Sequence, residues 1–254
     1  MTERAMQLKA ADGQHILAVR QQTGHGPGVL FLHGFRSDMT GTKGDYLAQL
    51  CASRQQTFTR LDLRGHGQSG GHYTDFTLSD WLADVVQVLD ECTQGPQIIV
   101  GSSLGGWLML LLAKVRPARI QGLIGLAAAP DFTTELLLPA LTPAQKAEYE
   151  QTGRIVEETT PEFGPNIFTR ALIEDARHHL ILTQPLAFNG PVRLLQGMQD
   201  DAVPWAHAFK IVQAISGNDV RVTLFKDAGH RIAEPPQLFE LGRAVEELSG
   251  VQMN

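Results

Sequence analysis

The sequence predicts one α/β domain: a mostly parallel, eight-stranded sheet with helices on both faces and a small helical insertion. Three observations predict it. Short apolar runs alternate with stretches of helical periodicity along most of the 254 residues. A small-residue turn, Gly101 to Gly106, sits directly between an apolar strand-like run and an apolar helix-like run. The alternation breaks once, between about residues 131 and 191. A chain of this length with 43% hydrophobic residues can bury a substantial core.

The expected strands are Met6–Lys9, Gln14–Arg20, Val29–His33, Thr57–Asp62, Gln97–Gly101, Ile120–Leu126, Val192–Gly197 and Arg221–Phe225. Asp12-Gly13 is a tight-turn signal, so the first two strands should pair antiparallel. Leu78 to Glu91, Leu104 to Val115, Ala206 to Ile215 and Pro235 to Leu248 carry helical spacing. Ser79 or Asp80 is the expected cap of the first helix, and Pro235 or Pro236 suits the first turn of the last. Residues 1–130 and 192–254 therefore read as the core, and 131–191 as a helical lid. Within that segment Leu141 to Gln151 and Thr169 to Leu182 look helical, and no strand is expected. About sixty residues would make a meagre core alone, so the lid is an insertion rather than a domain.

Composition excludes several function classes. A net charge of −6 and a pI near 5.8 give no basic footprint for nucleic acid and a poor match to an anionic membrane. Cys51 and Cys92 form no CxxC pair, so neither a zinc site nor a redox motif is expected. Trp107 to Ala113, the most apolar stretch, is too short to span a bilayer. Met1 to Gly13 carries neither a signal-peptide core nor an Arg-rich transit pattern, which gives the expectation of a cytoplasmic location.

The chemistry is concentrated at four strand ends. In Gly101-Ser102-Ser103-Leu104-Gly105-Gly106 the chain must reverse sharply from strand to helix, and small residues two before and two after Ser103 let the two elements approach. Ser103 is the expected nucleophile. His33-Gly34-Phe35 ends the third strand; the Phe35 N–H, with that of Leu104, is the expected oxyanion hole, while His33 reads as a brace for the loop. A serine hydroxyl needs a base, and His230, after the last strand and before the last helix, has the position for it among nine histidines. His66, in a glycine-rich loop, reads as scaffold. The acid follows the seventh strand in Gly197-Met198-Gln199-Asp200-Asp201. Asp200 is preferred, Asp201 competes, and Asp131 is a third candidate after the sixth strand. The order Ser103, Asp200, His230 is that of α/β-hydrolases.

These residues resemble the α/β-hydrolase superfamily. Ser102 to Met109, Leu194 to Asp201 with Val203-Pro204-Trp205, and His230-Arg231 resemble the palmitoyl-protein thioesterase, or mycophenolic acid acyl-glucuronide esterase, family. Gly41-Thr42-Lys43 and His178-His179 are similar too. The animal members are mitochondrial with a longer N-terminus and have proline where His33 stands. The resemblance implies a serine esterase that cleaves esters or thioesters, including S-acyl thioesters or acyl glucuronides, and it supports Asp200 as the acid. No metal or organic cofactor is expected. Phe132, Leu136, Leu137, Leu138, Phe163 and Phe168 of the lid are candidates to line an acyl pocket. The alternatives are a carbon–carbon bond hydrolase, a serine aminopeptidase, or a ligand sensor that keeps the triad.

Overall fold

The computed structural model describes residues 2–159 and 164–250. Its main sheet has eight strands: β1 (Arg4–Lys9), β2 (Ile16–Gln22), β3 (His25–Leu32), β4 (Gln56–Leu61), β5 (Gln97–Ser102), β6 (Ile120–Leu126), β9 (Val192–Gly197) and β10 (Val220–Phe225). They lie in the order β1-β2-β4-β3-β5-β6-β9-β10. The β1–β2 pair is antiparallel, as Asp12-Gly13 predicts, and β2 meets β4 antiparallel; the remaining pairs are parallel. The central strands β5, β6 and β9 are almost wholly buried, which explains why apolar residues dominate them without alternation.

Helices cover both faces. One apolar layer joins α2 (Leu78–Cys92) and α3 (Leu104–Val115) to the sheet, with Trp81 and Trp107 fully buried. The other layer packs α1 (Thr42–Ser53) and α8 (Pro235–Leu248) against Val29, Phe31, Ile98 and Ile124. The sequence reading missed α1, whose apolar positions are sparse and whose start has no side-chain cap. It placed the start of α2 at Leu78 correctly but named Ser79 or Asp80 as its cap. Thr77 is the cap: its hydroxyl accepts the Asp80 N–H, and the Asp80 carboxylate accepts the Thr77 N–H, a reciprocal box that assigns Ser79 no capping role. Pro235 opens α8 as expected.

The segment between β6 and β9 corrects a second expectation. It contains a two-stranded antiparallel ribbon, β7 (Arg154–Glu157) with β8 (Asn166–Thr169), where no strand was expected. Each strand is four residues, too short to display alternation. The helical readings fare better. A π-helical turn (Thr133–Leu137) and the single turn α4 (Leu138–Ala140) lead to α5 (Pro143–Thr152). Thr142 and Gln145 box the start of α5, and Gly153, at φ 67°, ends it in the left-handed conformation that glycine adopts without strain. After β8 come α6 (Arg170–Ala176) and a 3-10 turn through His179. Both ends of the segment are tied together at the sheet. The buried Asp131 carboxylate accepts the N–H groups of Ile181 (2.9 Å) and Leu182 (2.8 Å). Helix α7 (His207–Ala214) joins β9 to β10. Among the described residues no helix is long and apolar enough to cross a membrane.

Candidate active site

The turn after β5 is built by exclusion of side chains. A Cβ on Gly101 would lie 2.3 Å from the Gly105 carbonyl oxygen, and one on Gly105 would lie 2.2 Å from that of Leu32. Neither contact is tolerable, so only glycine lets α3 leave β5 this sharply. Ser103 takes up the remaining strain at φ 52°, ψ −117°, a region L-residues rarely enter. Its backbone is pinned on both sides to the end of β6: its N–H donates to Leu126 O (3.0 Å), and its carbonyl accepts from Ala129 N (3.1 Å). The side chain is therefore presented outward at a fixed place.

His230 comes from the loop between β10 and α8. Its Nε2 is 3.1 Å from Ser103 Oγ, and its Nδ1 is 2.9 Å from Asp200 Oδ2. An ionised carboxylate only accepts, so Nδ1 carries a proton and, in the neutral ring, Nε2 offers a lone pair to the serine hydroxyl. The histidine loop can lie this close to β9 because of Gly197, where a Cβ would meet the Ala228 carbonyl oxygen at 2.2 Å. The Gln199 N–H then donates to that carbonyl at 2.9 Å. Lys43, on α1, donates to Arg231 O at 2.5 Å and ties the other side of the loop down. Burial, assisted by Arg231, lowers the Lys43 ammonium to about 8.

The three acid candidates separate cleanly. Asp200 is buried and its Oδ1 accepts from Ala202 N (3.0 Å) and Val203 N (2.8 Å). Burial pushes its carboxyl up, yet the bond and charge of His230, with those donors, bring it net below the usual carboxylate range. Asp201 is exposed on the same loop. Asp131 is committed to the N–H groups of Ile181 and Leu182.

Gly34, the neighbour of Phe35, lies beside the serine; a Cβ on Gly34 would be 3.2 Å from Ser103 Cβ. Leu104 is the first residue of α3, so its N–H has no acceptor within the helix. His33 is fully buried and braces this loop: Nδ1 donates to Gly34 O (2.8 Å) and Nε2 accepts from Leu63 N (3.2 Å). Burial lowers it to about 4. His66 packs against it at 5.1 Å between ring centroids, is lowered to about 3 chiefly by burial, and stays neutral as part of the scaffold. The Phe35 ring stacks on Phe168 of β8 (5.0 Å, 16°), which in turn meets Phe132 (5.8 Å). Leu136, Leu137 and Leu138 are half-buried in the same segment. Phe163 lies outside the described residues. Among the described residues no cluster of His, Cys, Asp or Glu has the arrangement of a metal site.

Residues 29–240 match the profile of the alpha/beta hydrolase family. The chain belongs to that family and is a hydrolase. It is 37% identical over 237 residues to the mouse palmitoyl-protein thioesterase ABHD10, mitochondrial, covering 91% of this chain and 78% of that protein. The human ABHD10 is likewise 37% identical over 233 residues, covering 91% and 76%. Among solved structures, a putative hydrolase from Agrobacterium vitis S4 superposes with a TM-score of 0.93 at 35% identity, covering 98% of this chain and 100% of that one. Mouse alpha/beta hydrolase domain-containing protein 10 gives 0.88 at 34%, covering 96% and 98%. The resemblance to palmitoyl-protein thioesterases read from the motifs is thus borne out. The cytoplasmic expectation is overturned, because these mammalian relatives carry the designation mitochondrial.

Sequence reasoning missed Gln196 and gave Lys43 only as part of a resemblance. The signal for Gln196 was present: a polar residue following Leu194-Leu195 at the end of a strand, four residues before the acid.

Proposed function

We propose that this hydrolase cleaves carboxylic esters and thioesters, S-acyl thioesters among them, through an acyl-enzyme on Ser103, with Asp200 and His230 as the other triad members. The observation that carries the reading is the line from Asp200 through His230 to Ser103 Oγ, with its 2.9 Å and 3.1 Å contacts. His230 Nε2 takes the hydroxyl proton as Ser103 Oγ attacks the acyl carbonyl carbon. The developing oxyanion is held by the N–H groups of Phe35 and Leu104, which need no reorganisation as charge builds. Collapse expels the alcohol or thiol, which receives the proton from His230. Water, deprotonated in turn by His230, then releases the acid and restores Ser103.

Residues 131–191 form a lid in this reading. Phe132 and Phe168, bridged to Phe35, with Leu136, Leu137 and Leu138 nearby, give an apolar wall suited to a medium or long acyl chain. The name of the mammalian relatives, palmitoyl-protein thioesterase, points the same way. Replacing Ser103 by alanine should lower kcat roughly a million-fold, as loss of the nucleophile does in comparable triads. A panel of p-nitrophenyl esters and acyl-cysteine thioesters of rising chain length tests the substrate class. Turnover of longer acyl chains in preference to acetyl supports the reading, and preference for acetyl alone overturns the lipid-acyl part.

A further inference from the structure

We infer that Gln196 is a positioning residue that holds the Asp200 carboxylate in the orientation His230 requires. The inference rests on the triad reading above and adds a residue to it. Gln196 stands at the end of β9, buried, with its Nε2 2.9 Å from Asp200 Oδ2 and 2.9 Å from Val203 O. A main-chain carbonyl can only accept, so the atom facing Val203 is the amide nitrogen, and the same NH₂ group donates to Asp200. The bond falls on Oδ2, the oxygen that also takes the His230 proton, while Ala202 and Val203 N–H groups occupy Oδ1. Four donors therefore fix the plane of one carboxylate. Gln196 alone shares the oxygen that faces the imidazole and comes from the rigid sheet.

The chemical consequence follows from that shared oxygen. As His230 gains the serine proton its ring becomes cationic, and Oδ2 is the atom toward which its Nδ1 proton could slide. A second donor on Oδ2 lowers that oxygen's basicity, so the proton stays on Nδ1 and the ring keeps its orientation. By bonding Val203 O as well, Gln196 couples the acid loop to the strand and removes the loop's freedom to carry Asp200 away. Among the described residues the ionisable partner of the Asp200 carboxylate is His230. The flanking strands bring Leu224 from β10 beside Gln196 and Leu126 from β6 beside the preceding Leu195, neither of them ionisable.

Three substitutions test this with kcat, KM and kcat/KM for p-nitrophenyl butyrate from pH 5 to 9, alongside thermal unfolding of each variant. Gln196→Leu keeps the volume and removes the donor; kcat should fall about 10- to 100-fold, the worth of a hydrogen bond to a charged group, with KM little changed. Gln196→His returns a ring N–H at similar reach and should recover most of that loss. Gln196→Glu places a second carboxyl against Oδ2. Protonated, its single O–H can donate to Oδ2 but no longer also to Val203 O; ionised, it repels Asp200. Its activity relative to the parent should therefore decline as pH rises, a profile that a purely structural role does not produce. Parent-like kcat and pH profiles in Gln196→Leu and Gln196→Glu overturn the inference. So does equal loss in all three variants accompanied by equal loss of thermal stability. Ser103→Ala is run beside them: if it retains turnover, the triad reading itself fails, whereas an inactive Ser103→Ala with parent-like Gln196 variants sinks only the role of Gln196.

Discussion

The turn at Ser103 and the segment between β6 and β9 both pack against the loop that carries Gly34 and Phe35, yet they are specified in different ways. In the turn, six consecutive residues state the whole geometry, because Gly101 and Gly105 sit where the backbone leaves no room for a Cβ. In the inserted segment, the decisive contacts span long stretches of chain. Asp131 caps the N–H groups of Ile181 and Leu182 some fifty residues on, and Phe168 stacks on the sequence-distant Phe35. Local steric demand leaves a mark that a reader of sequence can find; long-range pairing does not. In the function proposed above, the same contrast separates chemistry from what covers it: the first region would set where the acyl carbonyl is attacked and the second what can approach.

The largest effect expected on the chemical side comes from Asp200. Asp200→Asn should cut kcat about ten-thousand-fold by reversing the tautomer that the imidazole needs, as in comparable triads. Asp201→Asn should leave kcat within about two-fold, as an exposed surface change does. Steady-state kinetics on the pair checks whether the acid is correctly placed. Gly105→Ala comes next. Its Cβ must displace the Leu32 carbonyl, so the protein should lose roughly 3 kcal/mol of stability and, even where folded, react more slowly with a serine-directed probe.

Asp131→Ala sharpens the comparison from the other side. It strands one buried and one partly buried N–H donor at the base of the insertion and should cost on the order of 2 kcal/mol. Probe reaction at Ser103 should survive it, because the serine backbone is held by Leu126 and Ala129 rather than by Asp131. Equal loss of probe reaction in Gly105→Ala and Asp131→Ala would show that the two regions are not separable.

The smallest effect is a slope. His33 and His66 are held neutral in the fold, at about 4 and about 3, mainly by burial. In the unfolded chain both would take up protons near pH 6.5. Between that value and about 4 the unfolded state binds more protons, so stability declines as pH falls through this window, by up to about 1.4 kcal/mol per pH unit for each histidine. His66→Asn keeps a donor for the Arg64 carbonyl and removes one titrating group. Urea unfolding at pH 7, 6 and 5 should give a shallower slope than the parent; an unchanged slope would remove His66 from the account.

How much was legible follows the same division. The eight strands, the antiparallel entry and the four strand ends that carry Ser103, Phe35, Asp200 and His230 were readable, because apolar runs ending in Gly, Asp or His mark strand ends. Asp200 was preferred over Asp201 by its distance from the strand and by the family resemblance, and the side-chain contacts supply the reason: it is turned inward by Ala202 and Val203 N–H groups, while Asp201 faces solvent. The ribbon β7–β8 was not readable, since four-residue strands carry little alternation and Phe168 gains its apolar surroundings from distant residues such as Phe35 and Phe132. The location expectation failed for another reason: it was read from the absence of a targeting pattern.

The most direct test of the central claim is mass spectrometry of the protein after reaction with a fluorophosphonate probe. The account predicts a single adduct on the peptide carrying Ser103, formed slowly or not at all in His230→Ala and absent in Ser103→Ala, together with loss of ester turnover in step with labelling. An adduct on another residue, or turnover that persists once Ser103 is fully modified, would contradict it.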